Sequence, residues 1–264
     1  MSATPSSDCA GAATTPGSWP TDHTRPATRA SALCAIHQPN LFPRLATLAK
    51  LYAADYWIVL DDVQFARRDY QHRTRLASLN DPGRRQWLTL PTRLPHGRAT
   101  LIREARLVDP AKSRRRLRLL LQQYYGAAPH RAHLHTVTQP LLDLMDETDR
   151  TADIAEASTW RLLHLLGWRG HITRSSTLPA RSGRSERLAD LTRAIGADAY
   201  LCGTGGMRYL HPEPFRDHAI DVVPFSTPTT GGPWTDAREI SALWAVMTYG
   251  PQCLSSLLCA TEPI

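Results

Sequence analysis

Four short polar segments, each following a stretch of strand type, hold the side chains best fitted to proton transfer, nucleophilic attack or anion binding. His37-Gln38 follows Leu33–Ile36, Asp61-Asp62 follows Tyr56–Leu60, Ser175-Ser176 follows Trp168–Arg174, and Gly203-Thr204-Gly205-Gly206 follows Ala199–Cys202. An imidazole just past a buried strand can act as general acid or base or donate to a phosphate; it can equally cap the next helix or satisfy a backbone carbonyl. Gln38 stays neutral and would orient a substrate. Adjacent aspartates on a strand point to opposite sides, so only one of Asp61 and Asp62 is expected to reach a site unless the strand has already ended. There it could hold an amine, a sugar hydroxyl or Mg²⁺, or it could serve as a solvated pair or a helix N-cap. Gln64, Arg67, Arg68 and Arg73 suit an anionic, hydroxylated ligand gripped by planar guanidinium forks, and would also suit a basic solvated face. The glycine turn offers N–H groups to an anion through Gly203, Gly205 and Gly206, or is a plain tight turn; no Gly-Lys-Ser/Thr follows it, so it is not a nucleotide P-loop. Cys202 is a candidate thiolate nucleophile or a small buried residue.

Strand, loop, helix and strand between Leu33 and Leu60 predict a βαβ unit with two parallel strands. Pro43 is placed at the first turn of its helix, where its missing N–H costs nothing. Trp87–Leu90 and Leu101–Val108 read as further strands, as do Trp168–Arg174, Ala199–Cys202 and Ile220–Phe225. Helices are expected at Ala111–Tyr125, Pro140–Met145, Ile154–Leu166, Ser185–Ile195 and Ile240–Tyr249, with a Thr/Pro/Gly-rich loop over Ser226–Asp236. Alternating strands and helices predict a three-layer α/β fold, a mostly parallel sheet with helices on both faces. Ligands of such sheets gather beyond the carboxyl ends of the strands, where these polar segments fall.

Composition narrows the function classes. The chain has 264 residues, 42% hydrophobic and 21% charged, with no apolar run near the ~18 residues of a membrane helix. Residues 1–30 are rich in Ser, Thr, Pro, Ala and Gly without an apolar signal core, so they read as a disordered tail ahead of a single domain over 31–264, and the expected compartment is the cytoplasm. Only Lys50 and Lys112 among 31 basic residues are lysine. The arginines are scattered apart from Arg114–Arg116 and Arg118, which coat a helix, so the net charge of +7 points to a small anion rather than to nucleic acid. The five cysteines contain no CxxC pair, and His130, His133 and His135 lack helix-spaced pairing and a carboxylate, so no metal site is expected.

Ile36-His37-Gln38-Pro39-Asn40-Leu41-Phe42-Pro43, Ala54-Asp55, Leu60-Asp61-Asp62-Val63-Gln64-Phe65 and Arg73-Thr74-Arg75 together resemble the WbqC-like family. The resemblance continues through Thr89-Leu90-Pro91, Tyr125, Ser175-Ser176, Glu186-Arg187-Leu188, Tyr200–Gly203, Gly206 and Tyr209-Leu210, and covers about residues 35–250. It departs from the family at Arg44 (usually tryptophan), Cys202 (often serine), His72 (often asparagine) and Thr229–Gly232. The family resemblance implies transferases of surface-glycan and natural-product clusters, antibiotics among them, acting on amino sugars or other small amines. A looser similarity, of architecture alone, is to the nucleotidyltransferases and adenylate-forming ligases whose paired histidines contact ATP phosphates; this chain lacks the His-x-Gly-His pair.

The expectation is therefore a transferase that forms an amide or ester bond. It would take an acyl or aminoacyl thioester (CoA or a carrier protein) or an adenylate as donor and an amine or amino sugar as acceptor, with no cofactor required. His37 would be the base, Asp61 or Asp62 would orient the amine and balance charge on His37, and Cys202 would be a possible acyl carrier. Gln38, Gln64, Arg67, Arg73, Ser175, Ser176, Arg187, Gly203, Gly205, Gly206 and Tyr209 would bind substrate. The alternatives are an ATP- and Mg²⁺-dependent amide ligase and a non-catalytic module binding a sugar nucleotide or carrier protein; a nuclease reading lacks the carboxylate cluster it needs.

Overall fold

Runs of apolar residues buried on both faces are what interior strands of a parallel sheet require, and the structure builds its sheet from them. It is a computed structural model describing residues 31–261; the tail expected over 1–30 lies outside the described residues. The chain opens with β1 (Leu33–His37), α1 (Leu45–Tyr52) and β2 (Tyr56–Val59). Strands β1 and β2 are parallel, with Cys34 opposite Tyr56 and His37 opposite Val59, which is the expected βαβ unit. Two antiparallel ribbons follow, β3 (Arg73–Ala77) with β4 (Arg85–Thr89), and β5 (Thr92–Arg93) with β6 (Arg106–Leu107). Three helices, α2 (Pro110–Tyr125), α3 (Ala132–Glu147) and α4 (Thr151–Leu165), lead to β7 (His171–Arg174). The chain ends with α5 (Arg184–Ala194), β8 (Ala199–Gly203), α6 (Glu213–Arg216), β9 (Asp221–Phe225), α7 (Ala242–Tyr249) and α8 (Pro251–Cys259).

Five strands form one parallel sheet in the order β7-β2-β1-β8-β9. Because side chains alternate along a strand, Ala35, Trp57, Val59 and Leu201 enter a core shared with α1, α2, α3, α4 and α7. Cys34, Ile36, Ile58, Tyr200 and Cys202 enter the opposite core with Ala189 and Leu191 of α5 and Phe215 of α6. The fold is α/β, a parallel sheet with helices on both faces. No helix among the described residues is long and apolar enough to cross a membrane.

Several elements differ from the sequence reading. Trp87–Leu90 is largely strand β4, but it pairs in a ribbon apart from the main sheet. Its partner β3, alternating buried Thr74 and Leu76 with half-buried Arg73 and Arg75, was hidden by its charges. Leu101–Val108 is mostly a 3-10 turn (Ile102–Glu104) and the short β6. The helix expected at Pro140 starts eight residues earlier, at Ala132, and tolerates the proline internally. Pro43 lies before α1, whose N-cap is Arg44 in an extended conformation. Helix α8 was not anticipated.

The loop from β1 to α1 is held by hydroxyl groups from three other elements. Phe42 is fully buried and takes a left-handed φ of 41°, a strained conformation for a bulky residue. Its N–H donates to Ser158 Oγ at 2.8 Å, and its carbonyl accepts from Thr74 Oγ1 at 2.9 Å and Ser241 Oγ at 3.1 Å. The Asn40 carbonyl accepts from Thr159 Oγ1 at 2.8 Å, and the Leu41 N–H donates to the Tyr70 carbonyl at 2.8 Å. Removing Ser158 Oγ leaves a buried N–H without its partner, so Ser158→Ala should lower unfolding stability by about 1–3 kcal/mol in urea denaturation. An unchanged midpoint and slope would show that the loop does not depend on this contact.

Candidate functional site

The chain builds its sheet outward from β1 in both directions, to β2 and β7 on one side and to β8 and β9 on the other. The boundary between β1 and β8 is thus the topological switch point, where connections leave in opposite directions and open a crevice beyond the strand ends. The two strands pair only at Leu33–Ala199 and Cys34–Tyr200, then part, whereas β1 and β2 stay paired to His37–Val59. Lys50, in the last turn of α1, reaches this parting and donates from Nζ to the Ile36 carbonyl at 3.2 Å. A cavity of 420 Å³ opens there, walled by His37, Arg44, Lys50 and Arg238, by the turn Gly203–Gly206, and by Phe225–Thr227 after β9.

His37 has its protons assigned by its surroundings. Its Nδ1 lies 2.8 Å from the Gln38 carbonyl, which can only accept, so Nδ1 carries the hydrogen and Nε2 keeps a lone pair. Burial and then the Lys50 ammonium push its pKa down to about 3; the Gln38 carbonyl opposes them, and Arg44 adds to the depression. Burial likewise lowers Lys50 to about 8, against the opposing pull of Cys202 and Cys34. Among the described residues, no aspartate or glutamate lines the cavity. The groups acting on His37 are cations, and the carboxylate expected to balance its charge is not among them.

Asp61 and Asp62 belong to a different half of the rim, at the ends of β2 and β7. Strand β2 stops at Val59, so alternation no longer separates them and both reach Ser175. Alternation would have left one of them out only had the strand continued. The Asp61 N–H donates to Ser175 Oγ at 3.3 Å, and Ser175 Oγ donates its single proton to Asp62 Oδ1 at 2.5 Å. Asp61 accepts from the Ser176 N–H at 3.1 Å and from Ser176 Oγ at 2.8 Å. Arg187 of α5 completes the set by donating to Asp62 Oδ2 at 2.6 Å. Burial alone would raise the Asp62 pKa; Ser175 and Arg187 outweigh it and hold the carboxyl below its usual value. Beside this pair, Arg174 bridges Asp153 at 2.9 Å and buried Glu156 at 2.8 Å. The two aspartates are engaged by hydroxyls and a guanidinium.

Of the two readings of Cys202, the structure shows the small buried residue. Its side chain enters the core opposite to that of Leu201, it is fully buried, and burial raises its thiol pKa against the pull of Lys50. Its sulfur explains a glycine instead: a Cβ on Gly206 would lie 2.8 Å from Cys202 Sγ. Gly205, by contrast, has open space where its side chain would be.

The remaining expected ligands are dispersed. Gln38 Oε1 accepts from Gln71 Nε2 at 2.6 Å. Gln64 is exposed and donates to the Arg98 carbonyl. Arg73 stacks 4.2 Å from the Trp87 ring centre and donates to the Asp69 carbonyl at 3.2 Å. Arg67 is exposed, and Tyr209, 63% exposed, lies outside the cavity wall. Of the expected residues the structure gathers His37, Gly203, Gly205 and Gly206, and it adds Lys50, Arg44 and Arg238. Lys50 carried one signal, as one of two lysines among 31 basic residues and the one charge in the otherwise apolar α1. Arg238 carried none.

The model of the WbqC-like protein family matches residues 38–231, beginning one residue after His37 and ending in the loop after β9. The chain belongs to the WbqC-like protein family. This WbqC-like protein is also 26% identical over 212 residues to a Mycobacterium tuberculosis (strain ATCC 25618 / H37Rv) protein named "Uncharacterized protein Rv1507c", covering 80% of this chain and 86% of that one. No solved structure matches the chain.

The neutral His37 has a consequence for acid stability. Unfolded, its imidazole titrates at the usual 6.5; folded, at about 3. Between those values the unfolded chain binds a proton that the folded chain does not, so His37 removes stability progressively as pH falls from 6.5 toward 3 and removes none above. His37→Gln should therefore narrow the stability gap between pH 7 and pH 4.5 in denaturant melts. An unchanged gap would show that His37 titrates normally in the fold.

Proposed function

We propose that this WbqC-like protein is a transferase that moves an acyl or aminoacyl group from a thioester to a small amine or amino sugar in the β1/β8 cavity. The observation that carries this reading is the His37 ring, with its Nδ1 hydrogen committed to the Gln38 carbonyl, its Nε2 lone pair available, and Lys50 beside it at the switch point. The amine nitrogen attacks the thioester carbonyl and its proton passes to His37 Nε2. The tetrahedral oxyanion is stabilised by the Lys50 ammonium and the backbone of the glycine turn. As the C–N bond is completed the C–S bond breaks, and the proton on His37 passes to the leaving thiolate, giving an amide and a thiol. Transfer is direct, because the Cys202 thiol is fully buried and its burial raises its pKa.

A low pKa suits His37 to the acceptor role in one respect: the ring is unprotonated at neutral pH. It also means that the imidazolium needs nearby negative charge to form, and the developing oxyanion supplies some of it. With a panel of acyl and aminoacyl thioesters and amines, wild type should release thiol and form amide. His37→Gln should lower kcat/KM by about 10²–10⁴-fold, and Cys202→Ala should stay within a few-fold of wild type. Intact-mass measurement should show no acyl adduct. An adduct that disappears in Cys202→Ala would overturn direct transfer, and a fully active His37→Gln would overturn the role of His37.

A further inference from the structure

The cavity wall opposite the glycine turn carries two guanidinium groups without a counter-charge. Arg44 Nη1 donates to the Arg238 carbonyl at 3.1 Å, which ties the loop before α1 to the loop before α7. The Arg44 guanidinium lies 4.3 Å from the Tyr70 ring centre, and its Nε is buried without a hydrogen-bond partner. Arg238 stands between two acidic neighbours in sequence, but both are taken: Asp236 pairs with Arg85 at 2.6 Å, and Glu239 pairs with Arg75 at 2.9 Å and also with Arg85. Among the described residues, neither Arg44 nor Arg238 forms an ion pair. With Lys50, three cations line one concave space to which no carboxylate of the described residues contributes.

Arg44 and Lys50 are half-buried and Arg238 is exposed; without a counter-charge between them, all three are stabilised once an anion enters. A single carboxylate would meet one fork. Two guanidinium groups and an ammonium around the same cavity match an anion with several oxygens and more than one charge. We propose that the cavity binds a diphosphate, with Arg44 and Arg238 gripping its oxygens and Lys50 facing its inner end. This rests on the transferase reading only for its place in the reaction, where the diphosphate is the anchor of the donor and the reactive carbonyl lies toward His37. The same chemistry occurs in CoA and in ATP. Bound diphosphate also supplies the negative charge that His37 lacks, so occupancy should raise the pKa of its imidazole.

The test is calorimetric titration of the full-length protein with inorganic pyrophosphate, CoA, ATP and pantetheine, the last having the thiol arm of CoA without phosphates. Pyrophosphate should bind, and either CoA or ATP should bind at least about tenfold more tightly than pantetheine, a difference of about 1.4 kcal/mol. Arg238→Gln, at an exposed position that leaves the core intact, should weaken each phosphate ligand about tenfold and leave pantetheine unaffected; Arg44→Gln should do the same. NMR of the His37 ring should show its pKa rising when pyrophosphate is added. CoA preferred over ATP identifies a thioester anchor. ATP preferred, with pyrophosphate released on turnover, retains the diphosphate site and overturns the thioester reading. Pantetheine binding as tightly as CoA, or no binding of pyrophosphate, CoA or ATP, overturns the diphosphate site. Binding without turnover of any thioester leaves the site in place and removes the transferase, so the two failures are distinct.

Discussion

The parting of β1 from β8 is the constraint on which the rest of the site depends. Neighbouring parallel strands ordinarily satisfy each other's backbone along their length, but here pairing stops after Cys34 and Tyr200. The Lys50 ammonium takes the Ile36 carbonyl at the parting. That one contact places a cation beside His37, helps keep the ring unprotonated, and makes the crevice positive. It requires α1 to sit in a fixed position against the sheet, and the strained Phe42, held by hydroxyls of Ser158, Thr74 and Ser241, fixes the loop that delivers α1.

The two halves of the sheet rim are built on opposite electrostatic plans. At the ends of β2 and β7, Asp61, Asp62, Asp153 and Glu156 are matched by Ser175, Ser176, Arg187 and Arg174. Buried charges are tolerated when each has its partner, and removing one partner is far more costly than the pair's net worth. This half is a paired network that ties the β7 edge strand to β2, although Glu156 Oε1 and Arg187 Nε within it lack hydrogen-bond partners. At the ends of β1, β8 and β9 the cations lack matching carboxylates, and the structure there is a concave surface rather than a network. Positive charge of this kind favours an incoming anion over any internal partner.

The sequence by itself determined the parallel β1-α1-β2 unit, the helices on both sheet faces and the gathering of polar segments at the carboxyl ends of the strands. Those features follow from local chain physics: apolar runs of strand length, helical periodicity and the handedness of the crossover. It also pointed to His37 and the glycine turn, because each directly follows a strand. Strand β3 was illegible because its half-buried positions are arginines, and α8 because its apolar stripe is narrow. Only the tertiary structure decided the grouping. Order within the sheet, which depends on pairing between strands far apart in sequence, separated Asp61 and Asp62 from the cavity and brought in Arg44 and Arg238, nearly two hundred residues apart. Strand parity put Cys202 with Tyr200 in the second core, its sulfur packed behind Gly206 of the cavity wall, because a side chain's face is set by the register of its neighbours and not by its own chemistry.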